Sequence, residues 1–259
     1  MTSNAKLQVL IATCGRRIEN IPPLPVVPEV AYLIGWQLAN RDLPTELAER
    51  TDISVLYAPG KGSSKNRNFL LDNAEADLLL IADDDIVYAE NALDEVIRAF
   101  NSNPDCQMLT FRHTSTIKTY PDKSYNLLSP PKGASPSCFD IALRRNSSAG
   151  KLRFDERFGI DGTLFSAAED DIFILNARKS GIQGRYIPLT LCTHPTRSTG
   201  ERAPDKNVIE AWGAYIAIAY PAWQWFLRLP LKAFRLAKSG RSPLWSSLRY
   251  LMAGIKKLN

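Results

Sequence analysis

Apolar positions along the chain fall into two kinds of pattern. Short, largely unbroken blocks lie at Leu7–Ala12, Ile53–Tyr57, Leu78–Ala82, Cys106–Phe111, Phe139–Leu143 and Arg185–Leu191. Blocks of this length suit strands covered on both faces. Between them, apolar residues recur at helical spacing. Val30, Leu33, Ile34 and Leu38 predict a helix over Glu29–Ala39. Gly62-Ser63-Ser64 opens a helix that runs to about Ala74, and Leu93, Val96, Ile97 and Phe100 predict another over Ala89–Phe100. A fourth begins at Glu169 and ends near Gly181. Ile21–Pro28 is a proline-rich loop, since proline continues neither a ladder nor a helix interior. Thr114–Pro136 is long, polar and proline-containing, and loops of that length are usually functional or mobile. Strands alternating with helices predict an α/β domain with a mostly parallel sheet flanked by helices.

The chemistry concentrates where these elements end. The block Leu78–Ala82 runs into Asp83, Asp84 and Asp85. Ligands in open α/β sheets bind at the C-terminal ends of strands. Three adjacent carboxylates repel one another, and Mg²⁺ or Mn²⁺ would relieve that repulsion. An acidic turn capping the next helix is the alternative. Ser63 and Ser64, with Lys65 and Arg67 close by, make a helix start that attracts anions, or else an ordinary capped helix with a basic surface. GKGSSKN lacks P-loop spacing. Glu169, Asp170 and Asp171 open a later helix. There they either favour the helix dipole or place a general base near an acceptor hydroxyl. The chain has two histidines. His194 lies just past a strand end among hydroxyls and Arg197, as a ligand or a solvated side chain; His113 reads as structural.

At 259 residues, 45% apolar and 23% charged, the chain is long enough for one large globular domain with an appendage. Four scattered cysteines form no CxxC pair, so reduced thiols in a cytoplasmic protein are expected, and MTSNAK shows no signal pattern. No recognised nucleic-acid motif occurs, and no G-x-G-x-x-G follows the first strand, which argues against a dinucleotide oxidoreductase.

The net charge of +5 is uneven. Residues 228–259 hold eight basic side chains and no acidic one, leaving −3 for the rest. Just before them, Ala211–Leu227 carries no charge but is only 17 residues long, short for a membrane span. With Trp212, Trp223, Trp225 and Trp245 close to these cations, the tail reads as amphipathic helices on an anionic membrane surface. Packing on the core, or on another subunit of an oligomer, is the alternative.

Taken together, the strand ending at Thr13, GSSKNRN, LLLIADDD, FDERFG, AAEDDIF and HP-x-x-STG occur in an order that resembles the inverting, nucleotide-sugar-dependent glycosyltransferases of family 2. The likeness covers roughly residues 6–200. It implies a GT-A-like catalytic domain over 1–203 and a tail over 204–259. It also implies a metal-dependent hexosyltransferase that moves a sugar from a nucleotide-sugar to a hydroxyl of a glycan or lipid-linked acceptor, in surface polysaccharide synthesis at the cytoplasmic membrane face. Thr13 and Arg67 would then lie at the donor nucleotide. Asp83 and Asp85 would serve as the D-x-D pair that touches ribose and metal–diphosphate, with Asp84 also at the donor, and Asp85 and His194 would approach Mn²⁺ or Mg²⁺. Asp170 would be the general base, with Glu169 beside it. The chain departs from the family pattern in two places. Tyr57-Ala58-Pro59 stands where an acid commonly ends the second strand, and Ala82 stands in the place of a first acid. A nucleotidyltransferase with a similar carboxylate site and a non-enzymatic membrane scaffold are the competing readings.

Overall fold

The structure, a computed structural model, describes residues 5–115, 118–194 and 205–258. The described residues form two compact units. One comprises those of Met1–Lys61, Lys65–Arg153 and Asn176–Thr196; the other comprises those of Gly62–Ser64, Phe154–Leu175 and Arg197–Asn259. The division is not a single cut, because residues 154–175 belong with the C-terminal helices.

The first unit is built on a nine-stranded sheet. Its strands are β1 (Leu7–Cys14), β2 (Val30–Gln37), β3 (Ile53–Tyr57), β4 (Leu78–Asp83), β5 (Val87–Tyr88), β6 (Met108–Thr114), β7 (Tyr125–Asn126), β8 (Ile141–Arg144) and β9 (Gly184–Thr193). Their order is β3-β2-β1-β4-β8-β6-β9-β5, with β7 also on β9. Strands β1, β2, β3, β4, β6 and β9 point one way; β5, β7 and β8 run against them. The helices are α1 (Thr45–Ala48), α2 (Ser63–Asn73), α3 (Ala92–Ser102), α4 (Glu169–Lys179), α5 (Lys206–Ala219), α6 (Trp225–Lys238) and α7 (Leu244–Leu258).

One predicted helix is a strand. Residues Val30–Gln37 form β2, and all eight are buried between parallel β1 and β3. The helical stripe Val30, Leu33, Ile34 was a subset of a continuous apolar run, so its spacing carried no information about period. A helix there would have had no polar face to turn to water. The strand ends where Leu38 takes a left-handed φ of 50°. The second strand therefore ends in Trp36-Gln37 rather than at Tyr57, and it too lacks a terminal acid. The reversal of β8 is a second difference, since an apolar block carries no mark of its direction. Elsewhere the predicted elements stand with ends shifted by a few residues, and the Thr114–Pro136 loop gains the short strand β7.

In the second unit, α5, α6 and α7 share a core of Ile209, Ile216, Leu229, Ala233, Leu236 and Leu251. Each large aliphatic side chain buried there contributes roughly 1.5–3 kcal/mol relative to exposure. Helices α5 and α7 approach so closely that a Cβ on Gly213 would land on the Leu251 carbonyl, and one on Gly254 would land on the Glu210 carbonyl. A second cluster packs Phe158, Phe165 and Ile172 against Ala211 and Ala214. The charge-free stretch Ala211–Leu227 is not one helix: α5 ends at Ala219, and α6 starts at Trp225. Among the described residues no helix is long and apolar enough to cross a membrane.

Candidate active site

Parallel pairing of β1 with β4 sets Ala12 opposite Asp83, so Thr13 is carried to Asp84. The Thr13 hydroxyl donates to Asp84 Oδ2 at 2.6 Å. Arg17, in the turn that follows β1, donates from Nε to both Asp84 oxygens at 3.1 and 2.9 Å, and its Nη2 adds a further contact. Asp84 is 3% exposed. Burial pushes its carboxyl above the ordinary range, and the bonds from Arg17 and Thr13 oppose that rise without cancelling it. Hydrogen bonding to Asp84 likewise raises the Arg17 guanidinium.

Strand β4 ends at Asp83 and the chain turns at Asp84 and Asp85, and Asp83 and Asp85 find other partners than Asp84. Asp83 accepts from Arg67 Nη2 at 2.7 Å, and the Cys138 thiol lies 3.6 Å from it. Arg67 itself is 5% exposed, which commits its charge to this corner. Asp85 has Arg17 at 3.6 Å and the His194 Nε2 at 3.2 Å. His194 arrives from far along the chain because β5 pairs antiparallel with β9, Val87 against Thr193, and His194 is the next residue. The Phe139 ring stacks on His194 at 5.4 Å. The turn that carries Phe139 and Cys138 is pinned through Asp140, which is fully buried and meets His113 Nδ1 at 3.0 Å, the Tyr120 hydroxyl at 2.9 Å and the Ser137 N–H at 2.9 Å.

One ligand atom each from Asp83, Asp85 and His194 lie within 4.8 Å of one another. Two carboxylates and an imidazole at that spacing fit one divalent cation, and the mixed oxygen and nitrogen donors suit Mn²⁺ at least as well as Mg²⁺. Arg17, Cys138, Phe139 and Asn66 were not legible as parts of this corner. Asn66 donates to the Thr13 and Gly35 carbonyls at 3.1 and 2.8 Å and ties α2 to the ends of β1 and β2. For Arg17, its position just past a strand end was the available signal.

Residues 40–155 match the family model described as glycosyl transferase family 2. That segment is similar to family 2 glycosyltransferases over a little under half of the chain. The matched segment holds Arg67, Asp83, Asp84 and Asp85. Solved structures place the chain in the GT-A-like fold. Residues 1–349 of S. aureus TarS in complex with UDP-GlcNAc give a TM-score of 0.54 at 15% identity, covering 83% of this chain and 66% of that chain. Another structure of S. aureus TarS gives 0.54 at 14%, covering 98% and 54%. The mannosyltransferase PcManGT from Pyrobaculum calidifontis, in complex with GDP-Man and Mn²⁺, gives 0.53 at 13%, covering 98% and 72%. The chain thus spans just under two thirds of the first TarS chain and about half of the second. No curated protein sequence matches it.

The second unit holds Glu169 and Asp170, both half-buried in the first turn of α4. Ala168, just before them, takes a left-handed φ of 74° and its carbonyl accepts the Ile172 N–H at 3.1 Å. Such backbone in a non-glycine residue costs about 1–2 kcal/mol. Within this unit Ser64 donates to the Phe158 carbonyl at 2.6 Å and the Ser63 N–H to the Ile160 carbonyl at 2.9 Å. Gly159, at φ 106°, makes that approach feasible: a Cβ there would stand 2.6 Å from Ser63 Oγ and 3.2 Å from the Glu169 carboxyl carbon. The FDERFG, GSS and AAEDDIF motifs therefore converge on one glycine. Of the HP-x-x-STG loop, His194 is described and 195–200 lie outside the described residues.

Proposed function

We propose that the domain transfers a sugar from a nucleotide-sugar to a hydroxyl of a glycan or lipid-linked acceptor, with inversion, in surface polysaccharide synthesis on the cytoplasmic face of a membrane. The observation that carries this reading is the convergence of Asp83, Asp85 and His194 at the C-terminal edge of the sheet in a chain similar to family 2 over residues 40–155. The donors in the neighbouring structures, UDP-GlcNAc in TarS and GDP-Man with Mn²⁺ in PcManGT, support a nucleotide-sugar donor and a divalent cation here.

In this reading Asp83, Asp85 and His194 hold Mn²⁺ or Mg²⁺, which when bound neutralises charge on the leaving diphosphate. Arg67 fixes the Asp83 carboxylate and adds a cation beside the phosphates. Asp84 acts one step back: with Thr13 and Arg17 it sets the turn from which its two neighbours project. Asp170 takes the proton from the acceptor hydroxyl as that oxygen attacks the anomeric carbon from the face opposite the diphosphate, giving inversion. Glu169 borders the acceptor.

Calorimetric titration with UDP, GDP and other nucleoside diphosphates, with and without Mn²⁺, tests the donor half. One nucleotide should bind, and only with the metal. Asp85→Ala should weaken that binding at least about tenfold, while Asp170→Asn leaves it intact and lowers transfer by about 10²–10⁴. Full transfer activity in Asp170→Asn would overturn the base assignment. Nucleotide binding indifferent to metal would overturn the cation's role.

A further inference from the structure

The second unit exposes a run of large apolar side chains that the transfer chemistry does not use. Trp223 is 69% exposed, Phe226 74%, Leu227 65%, Leu231 44%, Phe234 56% and Trp245 78%. On α6 they fall into two adjacent i, i+4 rows, Phe226–Pro230–Phe234–Lys238 and Leu227–Leu231–Arg235. Each row is apolar for its length and ends on an exposed cation. The opposite face of the helix, Leu229, Ala233 and Leu236, is buried in the core with α5 and α7. Helix α7 alternates apolar and basic side chains along one face, Trp245, Arg249, Met252 and Lys256, all exposed.

The charges sort in the same way. Four cations of this region turn to aromatic rings of their own unit: Arg228 lies 3.4 Å over Tyr220, Lys232 lies 3.9 Å over Trp212, Arg241 lies 5.9 Å from the same ring, and Lys257 lies 5.2 Å from Phe165. Arg235, Lys238, Arg249 and Lys256 remain exposed beside the apolar rows, and no acidic residue occurs from 228 onward. An apolar face edged by cations alone is complementary to one kind of surface, a bilayer interface with anionic headgroups. There aromatic side chains enter the headgroup boundary, and Lys and Arg stay at the phosphates.

We propose that this face of α6 and α7, led by Trp223, Phe226, Leu227, Leu231, Phe234 and Trp245, docks on an anionic lipid bilayer without spanning it. The proposal rests on the peripheral location proposed above and gives that location a surface. It uses none of the donor-site residues, so the two readings fail separately.

The test is co-sedimentation of the full chain with vesicles of phosphatidylcholine alone and of phosphatidylcholine with phosphatidylglycerol. Binding should require phosphatidylglycerol and weaken as salt rises. Phe226→Ser with Leu231→Ser should lower partitioning about tenfold or more, since two apolar anchors are lost. Arg235→Gln with Lys238→Gln should lower it less, and most at low salt. Circular dichroism melting should match the parent for both pairs, because all four side chains are exposed. Brominated lipid should quench Trp223 and Trp245 fluorescence, read through Trp→Phe variants at each, and spare buried Trp36. No partitioning to either vesicle would overturn the proposal. So would a dimer by light scattering that Phe226→Ser with Leu231→Ser dissolves, since that would assign the face to a second copy of the chain. Metal-dependent nucleotide binding, measured on the same samples, reports separately on the donor site.

Discussion

Three neighbouring aspartates do three different things, and their difference lies in what the turn at the end of β4 brings each one to. Asp84 goes inward to Thr13 and Arg17, while Asp83 and Asp85 go to Arg67 and His194. Loss of the middle acid should therefore be felt as stability. Asp84→Ala strands the Thr13 hydroxyl and one side of Arg17, and urea denaturation should show a loss of about 1–3 kcal/mol. Asp85→Ala, at the open end of the run, should leave the urea midpoint near the parent value and act on nucleotide binding. From the sequence, the trio read as a metal corner, and Asp85 and His194 were picked out as its ligands. The resemblance pairs Asp83 with Asp85, but what holds Asp84 apart from them was not legible, because Thr13 and Arg17 come from the neighbouring strand's end. Arg17 was missed for a similar reason: one arginine in a turn looks like any other until a buried carboxylate is opposite it.

At the level of elements, β2 shows where pattern reading gives out. Eight buried residues in a row satisfy any periodicity, so helix and strand templates fit the same letters. Its neighbours decided the matter: β1 and β3 offer a two-sided ladder that an edge would leave unpaired. The glycines of α5 and α7 act at the same scale. Gly213 and Gly254 let two backbones come closer than a methyl group permits. Gly254→Ala must push the helices apart, and a thermal melt should show a loss of about 1–3 kcal/mol, as for an overpacked core. Gly159→Ala combines strained backbone with a clash at Ser63, Ser64 and Glu169. Transfer should fall while metal-dependent nucleotide binding, read by calorimetry, persists.

For the molecule as a whole, the two compact units divide the proposed labour. The sheet unit carries the residues assigned to donor and metal, and the helical unit carries Asp170 and the exposed apolar rows. A nucleotide bound at one hundred times its dissociation constant stabilises the folded state by about 2.7 kcal/mol. The parent chain with UDP or GDP and Mn²⁺ should therefore melt several degrees higher than without, and EDTA should remove the gain. In Asp85→Ala the shift should shrink; in Asp170→Asn it should match the parent.

What could be read from the order of residues was local and chemical. The apolar blocks, the acids at a strand's end, the helix starts, the cationic tail and the succession of motifs that resembles family 2 all lie within short windows, where neighbours along the chain are also neighbours in space. The reversal of β8, the identity of β2, the arrival of His194 beside Asp85, the partnership of Arg17 with Asp84 and the outward turn of Phe226 and Leu231 depend on residues far apart in sequence. Those are settled by strand register and by which faces find a partner to be buried against, and neither is written in any single stretch of the chain.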